Sequence, residues 1–334
     1  MLDTLIATLQ PMIYLFLCII IGYTLVKTKI IPQNSSEVMA KLETWVFCPA
    51  LSFVTMLRFC TIDNLSTNAA GVIFGTIAVG ICLALSFPLS ALFVKNKGSE
   101  RGIYQYSITF ANFGFMGDAI VLALLGDVAL SYYKLFSLPL VILVYTWGLG
   151  VLVPSGKDKN SALRKLINPP TIAAILGIIC GLVGLGGDNG ALVQIPFLMD
   201  LLNSMKACMG PVAMLLAGAT IARYHVPSLI KIKKVYVLTL LRLIILPTLI
   251  ISALLGIRLL VQNLLSINIP TTVLFWTFFA TATPLGLNTI VFPEAYGGDS
   301  SVGASMALIS HTLCVITIPT LYTLMTSIFG APII

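Results

Sequence analysis

Two stretches decide how this chain is read: Asn112-Phe113-Gly114-Phe115-Met116-Gly117-Asp118-Ala119-Ile120-Val121 and Pro284-Leu285-Gly286-Leu287-Asn288-Thr289-Ile290-Val291. Shifted by 170 positions, Asp118 falls on Asn288 and Ala119 on Thr289, and the two Ile-Val pairs coincide. Each stretch runs on to a Gly-Asp pair, Gly126-Asp127 in the first and Gly298-Asp299 in the second, with two extra residues in the later copy. Both lie in apolar surroundings, and both mix helix-breaking residues with polar side chains. Proline removes a backbone donor, and glycine leaves helical geometry cheaply. Two helices are therefore expected to break here, at matching places in a repeated pattern.

The surroundings are those of a membrane. Charged residues make up 9% of the chain, against roughly 25% in an average soluble domain. Hydrophobic residues reach 58% and the mean hydropathy is +1.02. A spanning helix needs about 20 mainly apolar residues. The apolar runs predict ten: 5–26, 37–57, 68–94, 103–125, 129–153, 169–186, 197–221, 234–257, 270–293 and 301–328. The fold class is thus an all-α integral membrane protein. The first run has no basic segment before it; Lys27 and Lys29 follow it instead, so it reads as a span rather than a signal peptide.

Ten segments divide into two halves, residues 1–153 and 169–334, joined by a polar linker at 154–168 that runs from Pro154 towards Asn168-Pro169-Pro170. Cys48-Pro49-Ala50-Leu51 in segment two and Gly210-Pro211-Val212-Ala213 in segment seven add a second, shorter match. Because five is odd, two five-helix halves must be inverted. Charge agrees. Lys27, Lys29, Lys95, Lys97, Arg101, Lys157, Lys159, Arg164, Lys165, Arg223, Lys231, Lys233 and Lys234 all fall in odd-numbered loops, while the even loops hold only Arg58 and Arg258 beside Asp127 and Asp188. Basic residues collect on cytoplasmic loops, so both termini are expected outside, in a multi-pass protein of the cell membrane. The ninth loop, with Glu294 and Asp299, lacks basic support. The net charge of +7 thereby reads as orientation and not as a nucleic-acid signal.

Other chemistry is sparse. Seven cysteines are scattered with no CxxC pair and read as packing residues. Two histidines, His225 and His311, form no metal-spaced cluster, and neither a GxSxG nor a P-loop is present. No enzyme activity, metal or cofactor is expected. Inverted repeats with helices broken at the midplane are a recurrent build of secondary transporters, and broken backbone in hydrocarbon must line a polar cavity or find partners. The alternative is a pair of kinked helices packed by small residues.

Beyond these residues, Pro49-Ala50-Leu51-Ser52-Phe53 resembles the Pro-x-Leu-Ser-Phe stretch of the auxin efflux carrier family. Asn112 to Gly117 resembles that family's Asn/Gly box, Pro284 through Tyr296 its second crossing helix, and Asn168-Pro169-Pro170 its usual opening of the second half. The resemblance covers essentially the whole chain and extends to the wider bile-acid-symporter-like group. It implies a scaffold of helices 1, 2, 6 and 7, a moving unit of helices 3–5 and 8–10, and a homodimer through the scaffold. It also implies a substrate site where helices 4 and 9 cross, at Ser52, Asn112 and the Pro284–Asn288 turn with Gly286 and Asn288; Gly114, Asp118 and Thr289, at the two breaks, are added as candidates from their own position. Two departures set the chain apart. Ala119 and Thr289 stand where plant-type relatives carry crossing prolines, and the long central loop of those relatives is missing. A bacterial-type carrier of a small organic anion, such as a carboxylate or dicarboxylate, is therefore expected rather than an auxin carrier.

Ionisable groups inside spans are functional candidates. Asp118 is read either as a proton or cation site or as a carboxylate capping a half-helix N-terminus. Arg242 is read as a partner of Asp118 or an attractor of anions. His311 is read as a proton relay or as a hydrogen-bonded packing residue. Lys134 and Lys206 are expected to snorkel to an interface; Lys41 and Glu43 are expected at headgroups, and Asp200 and Glu294 at span ends without a role. An elevator-like carrier with a coupled proton is the leading reading. A sodium-coupled carrier and a ligand sensor on the same fold are the alternatives.

Overall fold

Low polarity and high hydropathy leave helix as the economical way to satisfy the backbone in lipid, and the described residues form helices joined by short loops, with no strands. The computed structural model describes residues 2–67, 69–95, 98–153, 169–296 and 298–332. The linker at 154–168, with Lys157, Lys159, Arg164, Lys165 and Asn168, lies outside them, as does Lys97.

The first half comprises α1 (Leu2–Lys27), α2 (Ser35–Leu42), α3 (Cys48–Phe59), α4 (Ile62–Thr67), α5 (Ala69–Phe93), α6 (Ser99–Thr109), α7 (Asp118–Leu143) and α8 (Leu149–Leu152). The second comprises α9 (Pro169–Leu182), α10 (Pro196–Arg223), α11 (Val226–Ile230), α12 (Lys233–Leu240), α13 (Leu246–Leu265), α14 (Thr272–Thr281), α15 (Asn288–Tyr296) and α16 (Ser301–Phe329). Among the described residues, six helical stretches are long and apolar enough to cross a membrane: Ser35–Phe59, Ala69–Phe93, Val128–Leu152, Pro196–Arg223, Lys233–Leu265 and Ser301–Phe329. Four shorter apolar helices accompany them, Met12–Lys27, Phe113–Gly126, Pro169–Leu182 and Thr272–Thr281. Segment eight runs further than expected, to Leu265 rather than 257.

Among the described residues, four five-residue π turns lead directly into the following helix: Glu43–Phe47, Phe113–Gly117, Val144–Gly148 and Leu241–Ile245. Pro49 and Pro247 follow two of them closely, where a missing N–H disrupts the regular ladder. Such turns concentrate at functional positions. Gly126 takes φ 81°, a left-handed value that ends one helix and starts the next inside α7.

The helices pack in two groups. In one, α1 lies against α10 and α3 against α9. A Cβ at Gly218 would sit 2.0 Å from the Ile19 carbonyl, and one at Gly181 2.6 Å from that of Cys60. Gly177 and Gly181 have the spacing that lets membrane helices approach closely. In the other group, α5 packs on α6 and α7, and α14 on α13 and α5. Large apolar side chains such as Ile13, Leu17, Ile175 and Ile179 face outward, as a lipid-facing surface requires.

Candidate functional site

The two interrupted stretches meet. After α6 the chain leaves helical geometry at Phe110, and after α14 it does so through Thr283–Leu287 before α15 begins. Asn112 N–H donates to the Pro284 carbonyl at 2.8 Å, and Ala111 and Leu285 form an antiparallel bridge. The Leu285 N–H donates to Ser310 Oγ at 3.2 Å. Backbone groups freed by one break are thus satisfied largely by the other, which is what buried, water-poor surroundings demand.

Neutral side chains lock the junction. Asn288 Nδ2 donates to the Tyr106 hydroxyl at 2.8 Å, and Thr289 Oγ1 to the Gly286 carbonyl at 2.9 Å. Asn112 Nδ2 lies 3.1 Å from His311 Nε2, while His311 Nδ1 lies 2.9 Å from the Ala307 carbonyl. The carbonyl requires a proton on Nδ1, so Nε2 accepts from the Asn112 amide. The buried ring of His311 therefore has both nitrogens hydrogen-bonded within the protein.

Beside the junction lies a cavity with about 600 Å³ of empty space, counting its mouth. Ser52, Asn112, Gly114, Asp118, Gly286 and Asn288 line it, together with Thr55, Lys134, Ser137, Tyr145 and Met209. The expected residues Pro284 and Thr289 belong to the junction behind it and do not line it. Asn112 Oδ1, Thr55 Oγ1 and Asp118 Oδ1 are buried acceptors with no hydrogen-bond partner among the described residues. Orphaned buried polar atoms are rare and point to an unfilled interaction. Their convergence on one cavity marks it as the candidate site.

The charge is where the expectation changes most. Lys134, expected to reach for an interface, is buried and forms an ion pair with Asp118 Oδ2. The pair lies at the edge of the cavity and also lines an adjoining, wider one bounded by Tyr14, Leu122, Asn203 and Lys206. Tyr133, next to Lys134, donates its hydroxyl to the Phe113 carbonyl at 3.1 Å. A Cβ at position 117 would sit 2.5 Å from that hydroxyl, so the turn needs Gly117. Asp118 is the first residue of α7 and one half of that ion pair, with no side-chain capping bond to the helix N-terminus.

Arg242 does not pair with Asp118. It is fully buried in the π turn between α12 and α13, and its Nη1 donates to the Ile108 carbonyl at 2.9 Å. Ile108 lies in the last turn of α6, so the guanidinium caps the carbonyl end of the broken helix, where a cation is favoured. Arg242 lines neither cavity. Glu43, expected at headgroups, is buried beside Cys48; Lys41 is exposed and pairs with Glu37 at 2.6 Å. Glu294, expected to be idle, is buried and paired with Arg223. Asp200 is exposed, as expected of a span end.

Lys134 is the residue that sequence reasoning undervalues. A lone lysine within the apolar stretch Val128–Leu152 is signal enough, because an amine there needs a partner. Tyr106, Tyr145 and Thr55 leave no comparable trace among so many apolar and hydroxyl residues.

A family model described as membrane transport protein matches residues 7–162 and 158–322. The chain belongs to that family. The match agrees at family level with the resemblance to auxin efflux carriers, and it makes the protein a membrane transporter. No curated protein gives a significant match.

Proposed function

We propose that this protein is a secondary active transporter of the bacterial auxin-efflux-carrier type, moving a small carboxylate or dicarboxylate by alternating access. Two inverted five-helix repeats supply its ten spans, and both termini lie on the non-cytoplasmic side of the cell membrane. Helices 1, 2, 6 and 7 form the scaffold, and the remaining six, with the crossing, move in an elevator-like step. The tight packing of α1 on α10 and of α3 on α9 supports that division.

The observation that carries the proposal is the Asp118–Lys134 pair in a cavity at the meeting of two broken helices. Lys134 is the cation lining that cavity, and Asp118 already neutralises it. An anion must displace Asp118 to reach the ammonium. Protonating Asp118 removes the competitor, so proton and anion load together. With both bound, the site holds a neutral acid, an ammonium and an anion; when empty it holds a carboxylate and an ammonium. Either way its net charge is zero, which avoids the cost of carrying charge through hydrocarbon. Lys206 lines the adjoining cavity. Asn112 Oδ1 and Thr55 Oγ1 accept from hydroxyl or acid donors on the substrate.

The test is uptake of radiolabelled organic acids into proteoliposomes under an imposed pH gradient, with the membrane potential clamped at zero and then varied. Uptake of a monocarboxylate driven by the gradient and insensitive to potential is the expected result. Saturable binding without flux would instead make the protein a sensor, and uptake that follows sodium at fixed pH would transfer the coupling from proton to sodium.

A further inference from the structure

We infer that Arg223 and Glu294 form a latch that closes one face of the site by fastening the moving unit to the scaffold. The inference rests on the division into scaffold and moving helices proposed above. Glu294 lies in α15, in the moving unit, and its side chain is only 5% exposed. Arg223 ends α10, in the scaffold, and its Nη1 lies 2.9 and 2.8 Å from the two carboxylate oxygens. Ser36, in the first turn of α2, donates to Oε2 at 3.1 Å and also accepts from Arg223 at 3.1 Å. Ser300, just before α16, donates to Oε1, and the Tyr224 hydroxyl lies 3.3 Å from Ser300 Oγ.

Both groups of helices thus contribute to one cluster. The scaffold supplies Ser36, Arg223 and Tyr224; the moving unit supplies Glu294 and Ser300. Sliding one group past the other breaks these bonds together. A carboxylate so enclosed is held only while its partners stay, because an unpaired buried charge is far costlier than a paired one. The cluster therefore has two settings, shut or hydrated.

The rest of the molecule shows which face it shuts. The cluster joins the chain on either side of loops 1, 7 and 9, all odd-numbered. The wide cavity that reaches Asp118 and Lys134 is bounded by Asn203 and by Lys206, the latter 17 residues before Arg223 on the same helix. At 1.5 Å per residue, that is about 25 Å towards the opposite face. A surface hollow does lie over the latch, but its lining shares no residue with the central cavity. The hollow that reaches Asp118 and Lys134 thus lies towards the even-loop face, and the latch fastens the odd one. Of the two acids of the ninth loop, Glu294 finds its cation in Arg223 of the seventh.

The experiment uses the full chain with its cysteines replaced and one cysteine introduced as Thr55→Cys in the cavity wall. A membrane-impermeant maleimide is applied to right-side-out and inside-out vesicles. With the latch intact, labelling is expected from the even-loop face only. Arg223→Gln and Glu294→Gln should each raise labelling from the odd-loop face at least tenfold, and the exchange Arg223→Glu with Glu294→Arg should restore the original pattern. Unchanged labelling in both single variants, with the one-sided pattern kept, overturns the latch alone. Equal labelling from both faces before any latch substitution overturns the alternating-access reading, and the latch with it.

Discussion

The two crossing segments share one pattern, yet they stabilise their breaks differently. The first, α6 to α7, turns back into helix through the π turn at Phe113–Gly117 and carries charge: Asp118 paired with Lys134, and Arg242 capping the Ile108 carbonyl. The second, α14 to α15, is an open non-helical loop from Thr283 to Leu287 held by neutral bonds, Asn288 to Tyr106 and Thr289 to Gly286. One break is held by charge and the other by neutral bonds, so similar sequence patterns can be stabilised by different chemistry.

The largest effect expected is at the charged crossing. Lys134→Met leaves Asp118 facing the cavity without its partner, a change worth about 3–5 kcal/mol for a buried pair, so uptake should fall at least a hundredfold in proteoliposomes. Asp118→Asn should split the transport modes. Its loaded site is still neutral but its empty site is positive, so exchange of internal for external anion should persist while net uptake collapses and loses its pH dependence. Net uptake that still follows pH in this variant would remove Asp118 from the coupling.

Proline provides the next contrast. Ala119 follows an unbroken helical run from Phe113, so Ala119→Pro should cost about 3 kcal/mol and depress the unfolding temperature measured in detergent. Thr289 stands in the first turn after an open loop, where the missing donor matters less. Thr289→Pro should therefore be much milder, and equal destabilisation would erase the distinction between the two breaks.

Arg242→Met should cost about 1–3 kcal/mol, the usual penalty for leaving a buried acceptor unmet, read as a thermal shift greater than that of any single change at the second crossing. The smallest effect belongs to Asn288→Ala. Losing one neutral hydrogen bond of about 1 kcal/mol should raise the KM about fivefold and leave the pH profile in place.

Much of the fold is legible in the sequence. The apolar runs and the Pro/Gly interruptions place most of the helices, with segment eight running eight residues beyond its expected end, because hydrocarbon permits so few alternatives. At the site, the breaks bring Asn112, Gly114, Asp118, Gly286 and Asn288 to one cavity as expected. The pairings are another matter. Asp118 and Arg242 both look central in their spans and suggest each other as partners, whereas Lys134 and Glu294 each look peripheral. Depth along a helix can be counted in a sequence, but the direction a side chain faces depends on how its helix is rotated against its neighbours.

Composition and periodicity, then, are enough to determine a helical membrane protein with two matched breaks, since lipid penalises every unsatisfied backbone group whatever the packing. Which charges meet is decided only by the tertiary structure. Asp118 finds Lys134, Arg242 finds a helix end, and Arg223 finds Glu294, because an ion pair depends on a few ångströms of separation, which the packing of neighbouring helices sets.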